Sequence, residues 1–514
     1  MNSDLTTFAG PAIDWFAVSP LIALLAGALL LLLVGSLTPQ WPRGWYGIAS
    51  VITASVAIVF LILLWRDVTN SGPKLLVGGA LALDHFALLA SIAICSSVLL
   101  VSLVTSDYLA RENSDLPEIY SLYLTTAIGG LVMVAANDLV VLFLGLETLS
   151  LSLYLLAASN RKRTESQEAG LKYFILGGFA SAFFLYGVAL TYGATGSTRL
   201  VDINVVLNAY ISVPRNDTLL LVGIGLMLVG FAFKVSLVPF HAWTPDVYQG
   251  APTPVTAFIA SSGKIAALVA LVRVFITAFP SRADDWGPVV FVLSALTLVV
   301  GSVVAIVQVD VKRMLAYSSV SHAGFILVGL EAASHRSSAD AGDGLIAIAV
   351  YVVLYAALVV GTFSIVTLVV RDSSDDGTTL DAFKGLAKRR PQLALAMTVL
   401  LLAQAGVPMT SGFVAKFAVI QAAVAVGSYK LAVIAMICAV IAAFVYLRIM
   451  VSMWISDTTT SDSTISDATT SETVEVPVFT GAAITIAVAI TLVIGFFPSL
   501  LLDLTTNLTQ LASK

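Results

Sequence analysis

The chain has 514 residues, 58% of them hydrophobic and 11% charged, with a formal net charge of −5 and a mean hydropathy of +0.97. Soluble domains are about a quarter charged, so this composition excludes a water-soluble globular protein and makes lipid the main solvent. The acidic balance gives no nucleic-acid partner. The two cysteines, Cys95 and Cys438, stand singly in apolar runs and form no disulfide or metal-site pattern. No P-loop or dinucleotide glycine fingerprint follows a predicted strand, so redox or ATP chemistry would belong to other chains.

A spanning helix needs roughly 20 apolar residues. On that measure the sequence predicts an all-α polytopic membrane protein of about fourteen transmembrane helices. Spans 1–3 (19–36, 46–65, 84–106) lie in an N-terminal segment, 1–116. The first positive residue is Arg43, so the start is not that of a signal peptide and span 1 is expected to be retained. Spans 4–8 (117–135, 138–158, 168–192, 218–237, 253–278) fall in 117–278. Spans 9–13 (288–307, 313–331, 344–370, 393–425, 430–455) fall in 288–455. The remainder, 456–514, holds a polar stretch from Asp457 to Ser471, read as a linker, and span 14 (477–502). The chain ends soon after that span, so no large extramembrane domain is expected.

Two spans are predicted to break. Pro239 lies in the run Phe233 to His241, in span 7, and Pro408 in the run Gly406 to Phe413, in span 12. Proline removes a backbone donor and clashes with the preceding turn. Broken backbone at membrane depth is tolerated only where it is buried or lines a wet cavity, and paired breaks point to an ion site. The prolines are 169 residues apart, and Asp138 and Asp310, each opening a span, are 172 apart. Two similar offsets predict a duplicated five-span unit, spans 4–8 and 9–13. Five is odd, so the copies are expected to lie inverted.

Basic residues set the orientation. Arg161, Lys162 and Arg163, then Lys312 and Arg313, then Lys384, Lys388, Arg389 and Arg390 share one side if both termini are outside. The other side carries singles such as Arg282 and Arg336.

An ionisable group at mid-bilayer costs about 2.5–3.5 kcal/mol on insertion scales and usually has a role. Glu147 sits midway along span 5, Lys234 before the first break, Lys264 in span 8 and Lys416 after the second break. The plainer reading of Glu147 and Lys234 is a buried ion pair that fixes packing. His241 and His322 read equally as hydrogen-bonded structural residues or as relay groups. Glu168 and Lys172 form an i, i+4 pair of structural character. Asp84, His85 and His335 read as interfacial, and Lys312 and Arg313 as loop charges that set orientation. Burial and the approach or withdrawal of a carboxylate both change a lysine's proton occupancy, so the set fits a proton relay. Glu147 and Lys234 are therefore expected within direct or one-water reach. Ser319 takes the place of Glu147 in the second unit, which leaves Lys416 without a carboxylate partner.

Several stretches then resemble a known family. They are Leu142 to Leu155, Glu168 to Phe183, Phe231 to Phe258 and Lys312 to Phe325. Together they are similar to the antiporter-like membrane subunits of bacterial respiratory complex I, the NADH–quinone oxidoreductase. The chain lacks the lateral helix of subunit L, and Lys416 stands where subunit M has a glutamate, so the resemblance is to the subunit N type. It implies proton translocation by Glu147, Lys234, Lys264 and Lys416; His241 and His322 are relay candidates on the reading of the residues above. It also implies that Lys416→Glu is partly tolerated. It makes the chain a redox-free part of a translocase, with NADH, FMN, iron–sulfur clusters and quinone in partner subunits. Expected partners are subunit M and small membrane subunits, in a bacterial plasma membrane. Alternatives of other classes are a cation/proton antiporter subunit, a non-pumping scaffold and a solute carrier, although no residues suggest an organic-substrate pocket.

Overall fold

The computed structural model describes residues 13–38, 44–112, 116–209, 217–335, 341–370, 377–455, 476–505 and 508–512. Arg43, Arg336 and the stretch Asp457 to Ser471 lie outside the described residues. In chain order the helices are α1 (Ser19–Leu37), α2 (Trp45–Ser71), α3 (His85–Arg111), α4 (Pro117–Ala135), α5 (Leu139–Ala157), α6 (Thr164–Thr195), α7 (Leu200–Ala209), α8 (Thr218–Val235), α9 (Trp243–Gly250), α10 (Thr253–Phe258) and α11 (Lys264–Ala278). There follow α12 (Ala283–Ile306), α13 (Val311–Ser334), α14 (Ala341–Val369), α15 (Leu380–Phe383), α16 (Leu386–Arg389), α17 (Pro391–Ala405), α18 (Ser411–Ala425), α19 (Tyr429–Trp454), α20 (Val478–Phe496) and α21 (Ser499–Thr505).

Among the described residues, twelve helical segments are long and apolar enough to cross a membrane. The other two expected spans fall short for visible reasons. Serines, His322 and terminal charges lower the hydropathy of α13, and the span expected over 393–425 is interrupted between α17 and α18. A small departure from all-α is the hairpin β1 (Lys74–Leu76) and β2 (Leu81–Leu83), with Lys74 opposite Leu83. Gly78 and Gly79 turn it at positive φ, which a side chain would resist.

Helix starts follow local chemistry. Asp84, Asp138, Asp310 and Thr410 each accept a backbone N–H in the first turn of the helix they open. Burial then sorts the helices. The central window of the segment Thr253–Ala278 is 100% buried and that of α14 89%, against 28% for α1 and for α20. The segment α10–α11 and α14 therefore form the axis, and α1, α2, α6 and α20 form the rim toward lipid. Close packing uses small residues: a Cβ on Gly129 of α4 would meet Leu149 N at 2.5 Å, which brings α5, and Glu147 with it, tight against α4.

Both breaks are present. α8 ends at Ser236 (φ +67) with Leu237 N donating to Ala232 O at 2.8 Å. α17 ends at Gly406 (φ +89) with Val407 N donating to Leu402 O at 3.1 Å, and Met409 follows at φ +67. A second motif also recurs. Leu139 N donates to Thr198 O and Leu200 N to Asn137 O, while the Thr198 hydroxyl binds Asp138 Oδ2. Around Asp310, Val311 N donates to Thr378 O, Leu380 N to Val309 O, and the Thr378 hydroxyl binds Asp310 Oδ2.

Candidate functional site

Two hydrogen-bonded runs of buried polar groups meet at a ring contact between Lys264 and Lys416. Lys264, 1% exposed, donates to Ser319 Oγ at 2.6 Å and Ser319 O at 3.1 Å. Ser319 Oγ also lies 2.6 Å from Tyr355 OH and 3.3 Å from Tyr248 OH. The Tyr355 ring stands 5.0 Å from the ring of His322. His322 Nδ1 bonds Tyr351 OH at 2.7 Å and its Nε2 bonds Tyr446 OH at 3.3 Å. Tyr446 OH meets Ser318 Oγ at 2.5 Å, and Ser318 Oγ lies 3.5 Å from Gln404 Oε1. Gln404 reaches Lys416 through its backbone oxygen, 2.7 Å from Nζ.

Local structure sets each lysine. Lys264 is the first residue of α11, directly after a π-helical turn, Ile259–Gly263. Such turns displace the backbone register and cluster at functional sites. Lys416 lies in the second turn of α18, where its ammonium caps the carbonyls that the break exposes at the end of α17: Gln404 O, and Ala405 O at 3.1 Å. A cation at a helix C-terminus is stabilised by the backbone dipoles. At the first break the equivalent task falls to Trp243, whose Nε1 donates to Phe233 O at 2.9 Å.

Lys234 is set differently. It stands within 5.1 and 5.2 Å of the ring centroids of Tyr154 and Tyr173, with Tyr154 OH 3.5 Å from Nζ. Glu147 and Tyr154 are seven residues apart on α5, two turns, and so share a face. Of the direct or one-water reach expected for Glu147 and Lys234, a direct contact is not formed among the described residues: Lys234 faces aromatic rings, and Glu147 Oε1 is buried without a hydrogen-bond partner. Between Lys234 and Lys264 stand Tyr173 and Trp243, stacked at 4.4 Å, and Tyr248. No side-chain hydrogen bond among the described residues crosses that aromatic wall. His241 Nδ1 is buried without a hydrogen-bond partner among the described residues, and its ring lies 6.2 Å from that of Tyr317.

Other expectations change. Asp84 and His85 are inside the protein, at 0% and 3% exposure. Asp84 pairs in two-pronged fashion with Arg273 of α11 at 2.7 and 2.8 Å, because a guanidinium in a wholly buried helix requires a counter-charge. His85 Nε2 bonds Thr69 Oγ1 at 3.0 Å. Lys312 is buried, donating to Gln249 O and Ala251 O at the end of α9, so it is no loop charge. His335 pairs with the buried Glu331 at 3.0 Å, and Ser428 donates to the same carboxylate oxygen. The Glu168–Lys172 pair is present at 2.7 Å, and Lys172 also reaches Asp246 at 2.9 Å, which Arg313 grips at 2.8 Å. These contacts, with Leu380 bound to Val309, gather the basic loops on one side.

The sequence reading missed the tyrosines, Ser318, Gln404, Arg273, Glu331 and Asp246. Tyr351 and Tyr355, four apart in an apolar run, and Gln404, two before Gly406, were the available signals.

A family profile described as "NADH:quinone oxidoreductase/Mrp antiporter, TM" matches residues 136–442. The NADH-quinone oxidoreductase subunit N of Parafrankia sp. (strain EAN1pec) is 41% identical, over 97% of this chain and 95% of that one. A chain of respiratory complex I from Thermus thermophilus superposes with a TM-score of 0.75 at 31% identity, covering 94% of this chain and 98% of its own. A chain of the Mrp complex from Dietzia sp. DQ12-45-1b gives 0.80 at 20% identity, covering 97% of each, and shows a shared fold alone.

Proposed function

The chain belongs to the subunit N family of NADH–quinone oxidoreductase, and from that premise we propose that it carries protons across the membrane through the buried line described above. NADH oxidation and quinone reduction, with FMN, iron–sulfur clusters and quinone, belong to other subunits of the complex. In this reading Glu147 and Lys234 form the switch, Lys264 and His322 the middle of the path, and Lys416 the last station. The observation that carries it is a pair of buried hydrogen-bonded runs, Lys264–Ser319–Tyr355 and His322–Tyr446–Ser318–Gln404, which meet where the Tyr355 and His322 rings stand 5.0 Å apart and reach Lys416 through Gln404 O. Hydroxyls, imidazole and ammonium each hold or release a proton without moving far. The aromatic wall between Lys234 and Lys264 is the gate that water or side-chain motion must open.

The recurring breaks and the recurring Asp138 and Asp310 motifs support two copies of one unit, 117–278 and 288–455. Asp138 sits beside the β1–β2 hairpin and Asp310 beside the basic loops, which supports their inversion. With the basic side in the cytoplasm of a bacterium, both termini face outward across the plasma membrane. Subunit M and small membrane subunits are the partners.

The test is the assembled complex in proteoliposomes carrying Lys264→Arg. Arginine keeps the charge but does not release its proton. Proton uptake per NADH should fall while assembly holds; normal pumping refutes the path. Repeating the assay with and without sodium distinguishes proton from sodium carriage.

A further inference from the structure

On the basic side, away from the polar line, a groove of about 700 Å³ opens among the ends of α3, α4 and α5 and the turn Pro252 to Pro254. Its size lies within the roughly 300–1,000 Å³ of small-ligand sites. Leu122 and Leu155 are part of its apolar wall, and Leu155 is 61% exposed on the lipid-facing surface. Around the polar end stand Glu112, Glu118, Arg161 and Lys162. Among the described residues none of these four side chains makes an ion pair.

That charge pattern selects the occupant. A simple anion would meet two carboxylates, and an uncharged alkyl chain would engage none of the four exposed charged side chains. A soluble metabolite would meet an apolar wall that faces hydrocarbon. A lipid carrying a phosphate and a primary ammonium answers both signs at once. Arg161 and Lys162 take the phosphate, Glu112 and Glu118 accept from the ammonium, and the acyl chains lie on Leu122 and Leu155. A choline headgroup has no N–H to donate, and a glycerol headgroup has no positive charge for the two glutamates. We propose that this groove is a specific site for a bilayer aminophospholipid of the phosphatidylethanolamine class.

The experiment uses the whole purified complex, stripped of lipid and reloaded with equal phosphatidylethanolamine, phosphatidylglycerol and phosphatidylcholine, with retained lipid counted by mass spectrometry. The wild type should retain phosphatidylethanolamine preferentially. Arg161→Ala with Lys162→Ala should lower its retention about tenfold or more, since each charge-assisted contact is worth roughly a factor of ten. Glu112→Gln with Glu118→Gln should keep a lipid but lose the preference over phosphatidylglycerol. Unchanged retention in both double variants overturns the site, as does a wild type without headgroup preference. If the basic double variant fails to assemble, the groove in a structure of the wild-type complex decides. A two-chain lipid there supports the site; a neighbouring subunit's side chains, or no ligand, overturn it.

Discussion

Lys264 Nζ donates across the two halves of the chain to Ser319 Oγ at 2.6 Å, and Ser319 stands 172 residues after Glu147. Under the proposed duplication, the position that carries an acid in the first unit carries a neutral acceptor in the second, and it serves Lys264. A hydroxyl and a backbone carbonyl hold an ammonium less firmly than a carboxylate does. Ser319→Asp should therefore trap the proton on Lys264: assembly stays intact while proton pumping falls at least tenfold. Ser319→Ala removes one hydrogen bond of about 1 kcal/mol and should slow pumping by less than that. Proton translocation in assembled complexes carrying each change tests both.

Glu147 makes a sharper distinction between transport and scaffold. Its Oε1 has no hydrogen-bond partner among the described residues, so Glu147→Ala breaks no hydrogen bond there and removes a charge that costs about 2.5–3.5 kcal/mol at mid-membrane. Assembly should hold, while pumping and coupled quinone reduction drop. A scaffold role predicts the reverse. Wild-type proton-to-electron ratios in an assembled Glu147→Ala complex would remove the switch.

The apolar runs, the two prolines and the common offset were legible because length, backbone chemistry and spacing are one-dimensional properties. Span 4, read as 117–135, is the helix Pro117–Ala135. What a sequence does not carry is which helix faces meet. Nothing in the spacing of Asp84 and Arg273, 189 residues apart, announces a buried pair. Lys312 looked like a loop charge because its neighbours are polar, but the carbonyls it binds, Gln249 O and Ala251 O, come from a turn about 60 residues earlier. The tyrosines escaped for the same reason: an apolar helix face and a polar conduit share the same rings.

The Asp84–Arg273 pair is a matter of stability. Removing one partner of a buried ion pair costs about 3–5 kcal/mol, because the other charge is stranded. Asp84→Ala should lower the melting temperature and the yield of assembled complex. Any complex that forms should keep a normal proton-to-electron ratio, measured in the same proteoliposomes.

Asp246 ties α6, α9 and α13 through Lys172 and Arg313. Burial raises its pKa, but the ion pairs with Lys172 and Arg313 outweigh it and hold the carboxyl below its ordinary value. A carboxyl depressed in the folded state contributes stability above its unfolded value, near 4, and loses it as pH falls through the folded value. Wild-type stability should hold from pH 7 to about 5 and decline below about 4. Asp246→Asn should start lower and lack that decline. Melting curves of the complex across this range decide it; parallel curves for the two proteins would exclude Asp246.

Lys416 both caps a broken helix and stands at the end of the line, and substitutions can separate the two roles. Lys416→Ala leaves Gln404 O and Ala405 O without their donor, at about 1–3 kcal/mol for each buried group, and should weaken assembly and pumping together. The presence of a glutamate there in subunit M suggested tolerance of Lys416→Glu. Here, however, a carboxylate would face the carbonyl end of α17, where the backbone dipoles repel it, so Lys416→Glu should be worse than alanine. Lys416→Arg keeps the cation and its donors but gives up no proton. It should assemble as the wild type does and pump at least tenfold less. If the arginine variant pumps fully, Lys416 is a helix cap alone and the last station moves to His322.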